Sequence, residues 1–401
     1  MSTPRIIFIA AALIAAVLLI WDLSRGLNTA ALSRVAASET PKARVTPISP
    51  CVLGVALKGK NSSPDDPAMS SDGTLVMATL PAPAMSQAHV AVGIAYEETP
   101  RPEGLPDDMQ PLPGVGLRFL SISAIDGFRI AAALWQPLAT PAATTTLLVQ
   151  VHGSGGNFAS LQLRATARAL SARGFAALSI STRQHDEHVN TDNFFEVRRD
   201  IEAAVATAKA LGYGALVLQG HSLGTAQVAF YAATDWDPAI RGVIMTGAIA
   251  KLPWKARHIL IQDEDAYRAL AQAARDAMRA GRPEATLPMP MSWIGGRQAP
   301  VTARHFLTYR DEAVSAADTT FWIARIPRPI LLVRDAADGV VLPFEPYMLL
   351  SAARAEGSLV PEIRYVLLPN PRPPSLEGHI FADNTGPLAE AIASWLAERG
   401  L

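Results

Sequence analysis

Gly220-His221-Ser222-Leu223-Gly224 sets one serine between glycines two positions to either side. It follows an apolar run, Ala215–Gln219, expected as a strand, and precedes Thr225–Ala233, expected as a helix. A sharp strand-to-helix turn crowds the residues two places before and after the serine, and glycine fits there. Such a turn lifts the hydroxyl above a sheet and against a helix N-terminus, where free N–H groups favour a developing negative charge. This is the chemistry of a nucleophile that attacks a carbonyl. A serine in an ordinary helix cap would need neither glycine. The hydroxyl needs a base, and histidine suits proton transfer near neutral pH. His379, the last of eight histidines, stands in Leu376-Glu377-Gly378-His379-Ile380-Phe381, a segment expected as a loop. An acid able to orient an imidazole is available twice after the strand Ile330–Arg334, at Asp335 and at Asp338. A glycine cluster, His152-Gly153-Ser154-Gly155-Gly156-Asn157, follows the strand Thr146–Val151 and lets backbone approach a ligand closely. It contains neither G-x-G-x-x-G nor a Walker lysine, so it does not read as a phosphate cradle.

The elements that must hold these residues alternate. Leu117–Ile125 and Phe128–Trp135 read as strands joined at Asp126-Gly127, a hairpin signal. Then come Thr146–Val151, the helix Leu161–Arg173, Phe175–Ile180, the helix Phe194–Leu211, Ala215–Gln219, the helix Thr225–Ala233 and Ile240–Thr246. After residues 247–325 the alternation resumes with Ile330–Arg334, the helix Phe344–Ala355, Ile363–Leu368 and the helix Leu388–Arg399. Short, wholly apolar strands between helices predict an α/β fold with a mostly parallel sheet covered on both faces. The stretch 247–325 carries the helix Glu264–Ala280 and a Pro/Met/Trp-rich loop, and reads as an inserted cap.

On these motifs, residues 117–401 resemble the α/β-hydrolase superfamily, of the serine esterase and lipase kind. The resemblance covers about 285 of 401 residues and leaves the first 116 outside it. It implies the chain order serine, acid, histidine, with Ser222 as nucleophile and His379 as base. It places the acid a few residues past the strand end, which favours Asp338 over Asp335. It makes the backbone N–H groups of Ser154 and Leu223 the oxyanion donors. His152 is then a structural histidine. The implied reaction cleaves a carboxylic ester, with lactones and thioesters as further candidates, and requires neither metal nor organic cofactor. The implied partner is a small, apolar ester. Arg183-Gln184-His185-Asp186 stands where many relatives carry an R-G-H-G-like loop, so its substrate contacts are left open. His185 and His188 have H-x-x-H spacing, but no further ligands accompany them, and a solvated or substrate-facing loop is the expectation. Trp254, Trp293, Phe306, Tyr309, Phe321 and Trp322 read mostly as the cap's own core. Arg257, Arg297 and Arg304 read equally as anion contacts or surface charges.

Residues Ile6–Trp21 form 16 uncharged residues between Arg5 and Asp22. At helical rise they reach about 24 Å, short of the roughly 30 Å hydrocarbon core, with Arg5 able to snorkel and Trp21 to sit at the interface. Small-residue cleavage patterns lie far downstream, which favours an uncleaved anchor over a cleaved signal. Residues 1–38 are therefore expected to attach the chain to a membrane in the cell envelope, anchored or secreted to the periplasm. Residues 39–116, rich in proline, read as a stalk plus irregular packing against the main domain, with Val90–Tyr96 among short apolar pieces able to form strands.

The composition agrees with a folded enzyme. It is 49% hydrophobic and 18% charged, too apolar for a disordered chain. Its 35 basic and 36 acidic residues leave a net charge of −1, with no basic field to draw nucleic acid. Cys51 stands alone, which excludes an internal disulfide and a cysteine zinc site. Two other functions remain in view: an acyltransferase using the same three residues, and a tethered binding protein without turnover. The sequence is silent on oligomeric state.

Overall fold

The computed structural model describes residues 96–235, 237–292 and 298–401. The run 6–21 and most of the proline-rich segment lie outside these residues. Among the described residues no helix is long and apolar enough to cross a membrane.

The strands are β1 (Tyr96–Thr99), β2 (Val115–Ser123), β3 (Arg129–Pro137), β4 (Thr146–Val151), β5 (Ala176–Ile180), β6 (Ala215–His221), β7 (Ile240–Thr246), β8 (Met291–Ser292), β9 (Gln298–Ala299), β10 (Ile330–Asp335) and β11 (Ile363–Leu368). Nine of them form one sheet in the order β1-β2-β3-β5-β4-β6-β7-β10-β11. The pairs from β1 to β5 are antiparallel, and those from β5 to β11 are parallel. The hairpin at Asp126-Gly127 forms as expected, with Gly127 at φ +82° and its N–H donating to Ala124.

The parallel strands are buried on both faces, which is why they read as unbroken apolar runs. Leu147, Val149, Leu216, Leu218, Val243 and Met245 face one core. Leu148, Val217, Ile244, Leu331 and Val333 face the other. The alternation is the two-residue period of a strand. The first core is closed by helices α2 (Val197–Ala210) and α3 (Leu223–Thr234). The second is closed by α1 (Leu161–Ser171) and, past β11, a C-terminal helix, Thr385–Ala397.

Between β7 and β10 the insertion contains α4 (Leu252–Lys255), α5 (Glu264–Arg279), α6 (Ala303–His305) and α7 (Thr319–Ile323), with the β8–β9 ribbon. Two π-helical turns, Ala256–Ile261 and Phe306–Arg310, also lie here. The insertion has its own small core, including Tyr267, Leu270, Ala274, Val301 and Phe306. Beyond β10 follow α8 (Glu345–Ala353), α9 (Leu376–His379) and α10, the C-terminal helix already described.

Two expectations need correction. Residues 96–116 are not all stalk. Tyr96–Thr99 pairs with β2, and Met109 and Val115 are buried. His379 does not sit in a loop. It ends α9, a single turn whose cap, Ser375 Oγ, accepts from Gly378 N at 3.1 Å.

Candidate active site

The serine, the glycine cluster, both aspartates and His379 follow the C-terminal ends of parallel strands, where open α/β sheets place their ligands. β6 delivers Ser222, β4 the glycine cluster, β10 both aspartates, and the segment past β11 His379.

Ser222 has φ +53° and ψ −121°, a strained conformation for a residue with a Cβ. Surrounding bonds hold it there. Its N–H donates to Thr246 at 3.0 Å, and its carbonyl accepts from Thr225 N at 3.0 Å. A Cβ on Gly220 would lie 2.4 Å from the Gly224 carbonyl oxygen, and one on Gly224 would lie 2.6 Å from the carbonyl oxygens of Val151 and His152. Both glycines are thus fixed by backbone approach. Gly220→Ala is expected to lose more than about 4 kcal/mol of stability, because only backbone could move aside. Urea unfolding of the purified variant checks this, and a wild-type midpoint would contradict it.

The glycine cluster lies against the serine: a Cβ on Gly153 would be 2.9 Å from Ser222 Cβ. Its course is set by His152, which is fully buried. Thr182 N donates to His152 Nε2 at 3.0 Å, so Nδ1 carries the proton and donates to Gly153 O at 2.6 Å. Burial presses the His152 pKa down to about 4, which keeps the ring neutral. Gln184 Nε2 reaches the same carbonyl at 3.4 Å, and Asp186 Oδ1 accepts from Asn157 Nδ2 at 2.8 Å. The Arg183–Asp186 segment therefore braces the glycine loop. His185 Nδ1 meets Asp186 Oδ2 at 2.9 Å. Leu223 begins α3, so its N–H is among the four at that end without an intrahelical acceptor.

The two aspartates take different partners. Asp338 Oδ2 lies 3.0 Å from His379 Nδ1, and its Oδ1 accepts from Val340 N at 2.8 Å and Val341 N at 2.9 Å. Burial alone would raise its pKa, but the hydrogen bonds from His379, Val341 and Val340 outweigh burial and hold it below the usual carboxylate range. An ionised Asp338 fixes the proton of His379 on Nδ1 and leaves Nε2 as a lone pair. Asp335 is turned away. Its Oδ1 accepts from Ala337 N at 2.7 Å and its Oδ2 from Asn384 Nδ2 at 2.8 Å, with Asn370 Nδ2 at 3.3 Å.

Ser222, Asp338 and His379 are nearly inaccessible, at 1%, 2% and 2% exposure. Among the described residues, Ser222 Oγ and His379 Nε2 find no hydrogen-bond partner. The ring of His379 packs 4.8 Å from that of His221, the residue preceding the serine. Gly247 admits both rings, since a Cβ there would lie 3.0 Å from His379 Cε1 and 3.3 Å from His221 Cε1. Burial drives the His221 pKa well below its ordinary value, and His305 is lowered by burial as well. A histidine titration followed by NMR should therefore show His152 and His221 silent between about pH 5 and 8, and His305 protonating below the ordinary histidine range. A mid-range titration of His152 would contradict the tautomer assigned above.

Of the cap aromatics, Phe306 and Tyr309 are buried and Trp322 packs on Phe230. Phe321 is exposed. Trp293 and Arg297 lie outside the described residues. Arg257 pairs with Glu264 and Glu312, and Arg304 with Glu284, so both cations are already matched by acids. An open cleft of about 580 Å³ on the insertion, lined in part by Arg257, Tyr267, Arg275 and Asp311, shares no residue with the site. Lys255, Glu345 and Thr182 were not singled out from the sequence. Their partners are distant in the chain, and no local pattern marks them.

The chain belongs to the α/β hydrolase fold family, whose model matches residues 146–353, just over half its length. No curated protein matches it. Among solved structures it is similar to Est1E from Butyrivibrio proteoclasticus with ferulic acid bound. The two are 21% identical with a TM-score of 0.51, over 69% of this chain and 97% of that one. It is also similar to the α/β hydrolase GrgF from Penicillium sp. sh18, at 14% identity and a TM-score of 0.51, over 69% and 97%. A third, DcsB in complex with its substrate analogue, is 14% identical with a TM-score of 0.52, over 71% and 99%. At these identities the likeness extends to the fold alone.

Proposed function

We propose that the chain hydrolyses carboxylic esters of small, apolar molecules through an acyl-enzyme on Ser222, with His379 as base and Asp338 as its orienting acid. The observation that carries this reading is the 3.0 Å contact of Asp338 Oδ2 with His379 Nδ1, whose ring packs on His221, the residue before a strained serine. Ser222 Oγ attacks the carbonyl carbon and its proton passes to His379 Nε2. The oxyanion takes hydrogen bonds from the N–H groups of Ser154 and Leu223. The carbon–oxygen bond of the leaving group breaks, and His379 returns the proton to the departing alkoxide. Water then attacks the acyl-enzyme, giving its proton to His379, and the acid leaves as Ser222 recovers its hydrogen. No step calls on a cofactor or metal.

The near-complete burial of Ser222 favours a second reading, transfer of the acyl group to an alcohol, because a closed site holds water out. One experiment separates the readings. Stopped-flow with p-nitrophenyl esters of increasing acyl length should give a burst of about one nitrophenol per chain, and mass spectrometry should find the acyl group on the protein. Added butanol diverting most product to butyl ester would favour transfer. No burst and no acylation with any ester would contradict both and leave a binding protein.

We also propose that residues 6–21 attach the chain to a membrane. The full chain should remain in the membrane pellet after a carbonate wash. Leu13→Arg with Leu18→Arg, at about 2.5–3.5 kcal/mol per charge, should release it. A wild-type chain found in the soluble fraction would contradict the attachment.

A further inference from the structure

Lys255 and Glu345 form a buried ion pair that the reaction above does not use. They are 4% and 2% exposed and belong to the insertion and to α8. Glu345 Oε2 accepts from Ala250 N at 2.9 Å, at the start of the insertion, and its Oε1 accepts from Leu342 N at 2.8 Å. Lys255 Nζ pairs with the same Oε1 and also donates to Val340 O at 2.9 Å. That carbonyl belongs to the peptide unit whose N–H, on Val341, donates to Asp338 Oδ1 at 2.9 Å. The ammonium and the carboxylate are thus joined by two hydrogen bonds and one peptide. A cation on a carbonyl polarises its peptide and makes the opposite N–H a stronger donor.

Resting on the function proposed above, we infer that Lys255 is a positioning residue for Asp338. It acts through the 340–341 peptide and ties the acid's placement to that of the insertion. The insertion segment 250–255 is held by the same carboxylate that holds Lys255. Withdrawal of that segment removes the positive charge from the peptide, so Val341 N–H holds Asp338 less strongly and more of the carboxylate's charge falls on His379. Breaking the pair at one end strands the other charge in the interior, which keeps the segment closed at rest.

Among the described residues, few charged and titratable groups face the Asp338–His379 pair. Arg334 donates to Asp338 O and Val341 O, each at 3.0 Å. Asp335 stands at the end of β10, held by its own partners. His221 packs on His379, and His152 follows β4 in the neighbouring glycine loop. Tyr365, on β11, feels the Asp338 charge, and Lys255 and Glu345 stand beyond the 340–341 peptide. Removing the positive charge should make His379 easier to protonate, and removing the negative charge should make it harder.

The test uses the full chain with isotope-labelled histidine, reading the His379 titration by NMR and the rate of Ser222 phosphonylation against pH. Lys255→Met should move the His379 midpoint up, and Glu345→Gln should move it down. The double variant should return it close to wild type, and Lys255→Arg should largely preserve it. The acid limb of phosphonylation should follow the same order. A merely structural pair would lower stability without opposite shifts. Shifts of one sign in both single variants, or none, overturn the proposal. Should Lys255→Met fail to fold, Glu345→Gln decides alone, and an unchanged or raised midpoint overturns it. If wild type is not phosphonylated, the proposed reaction fails, while the NMR midpoints still decide the part of Lys255.

Discussion

Ser222→Ala should lower kcat for ester cleavage by about five to six orders of magnitude and leave the fold intact. In the proposed reaction Ser222 Oγ carries the acyl group, so losing the hydroxyl removes the covalent route altogether. Rate above the uncatalysed level should persist, because the loop at Gly153 and the start of α3 still offer donors to an oxyanion. Stability should rise slightly or stay level. Ser222 Oγ makes no hydrogen bond among the described residues, and a methyl in its place strands nothing there. Thermal unfolding beside single-turnover kinetics checks both parts, and retained turnover would sink the mechanism.

The second large effect separates two neighbouring carboxylates. Asp338→Asn should cost about 10⁴ in kcat, because an amide can donate to His379 Nδ1 and so hold the imidazole in the wrong tautomer. Asp335→Asn should leave kcat within about tenfold. Its cost should appear in stability, at about 1–3 kcal/mol, since an amide there would face the Asn384 and Asn370 amides and lose their hydrogen bonds. Kinetics and urea unfolding on the two variants should therefore show opposite profiles. A large loss of kcat in Asp335→Asn, with Asp338→Asn nearly active, would move the acid to Asp335.

The parts of the molecule that are legible in its amino-acid sequence are those fixed by local or two-sided packing. β4, β7 and β11 begin and end at the expected residues. Residues such as Leu147 and Leu148 meet different cores, so the strand must be apolar on both sides and its run is unbroken. The elbow is legible because its glycines answer to the backbone of the turn itself and of the strand beside it. β1 is not: Tyr-Glu-Glu-Thr at an edge has no apolar signature, and only its partner β2 makes it a strand. The π-helical turns of the insertion depend on packing from distant segments, which no local period reports. For the acid, the sequence offers two aspartates three residues apart. The difference between them lies in Asn384 and Asn370 on one side and His379 on the other. The α9 turn under His379 does carry a signal, Ser375 three residues before Gly378, but four residues are too few for a helical period. Lys255 and Glu345 stand 90 residues apart, and nothing in either neighbourhood announces the other.

The central claim is that Ser222 is an activated nucleophile. The most direct measurement treats the folded, full-length protein with a fluorophosphonate probe, beside Ser222→Ala, and reads intact mass followed by peptide mapping. The account predicts one adduct per wild-type chain, mapped to Ser222, and none on the variant. An adduct on another residue, or no adduct on a folded wild-type chain at any probe concentration, would contradict it.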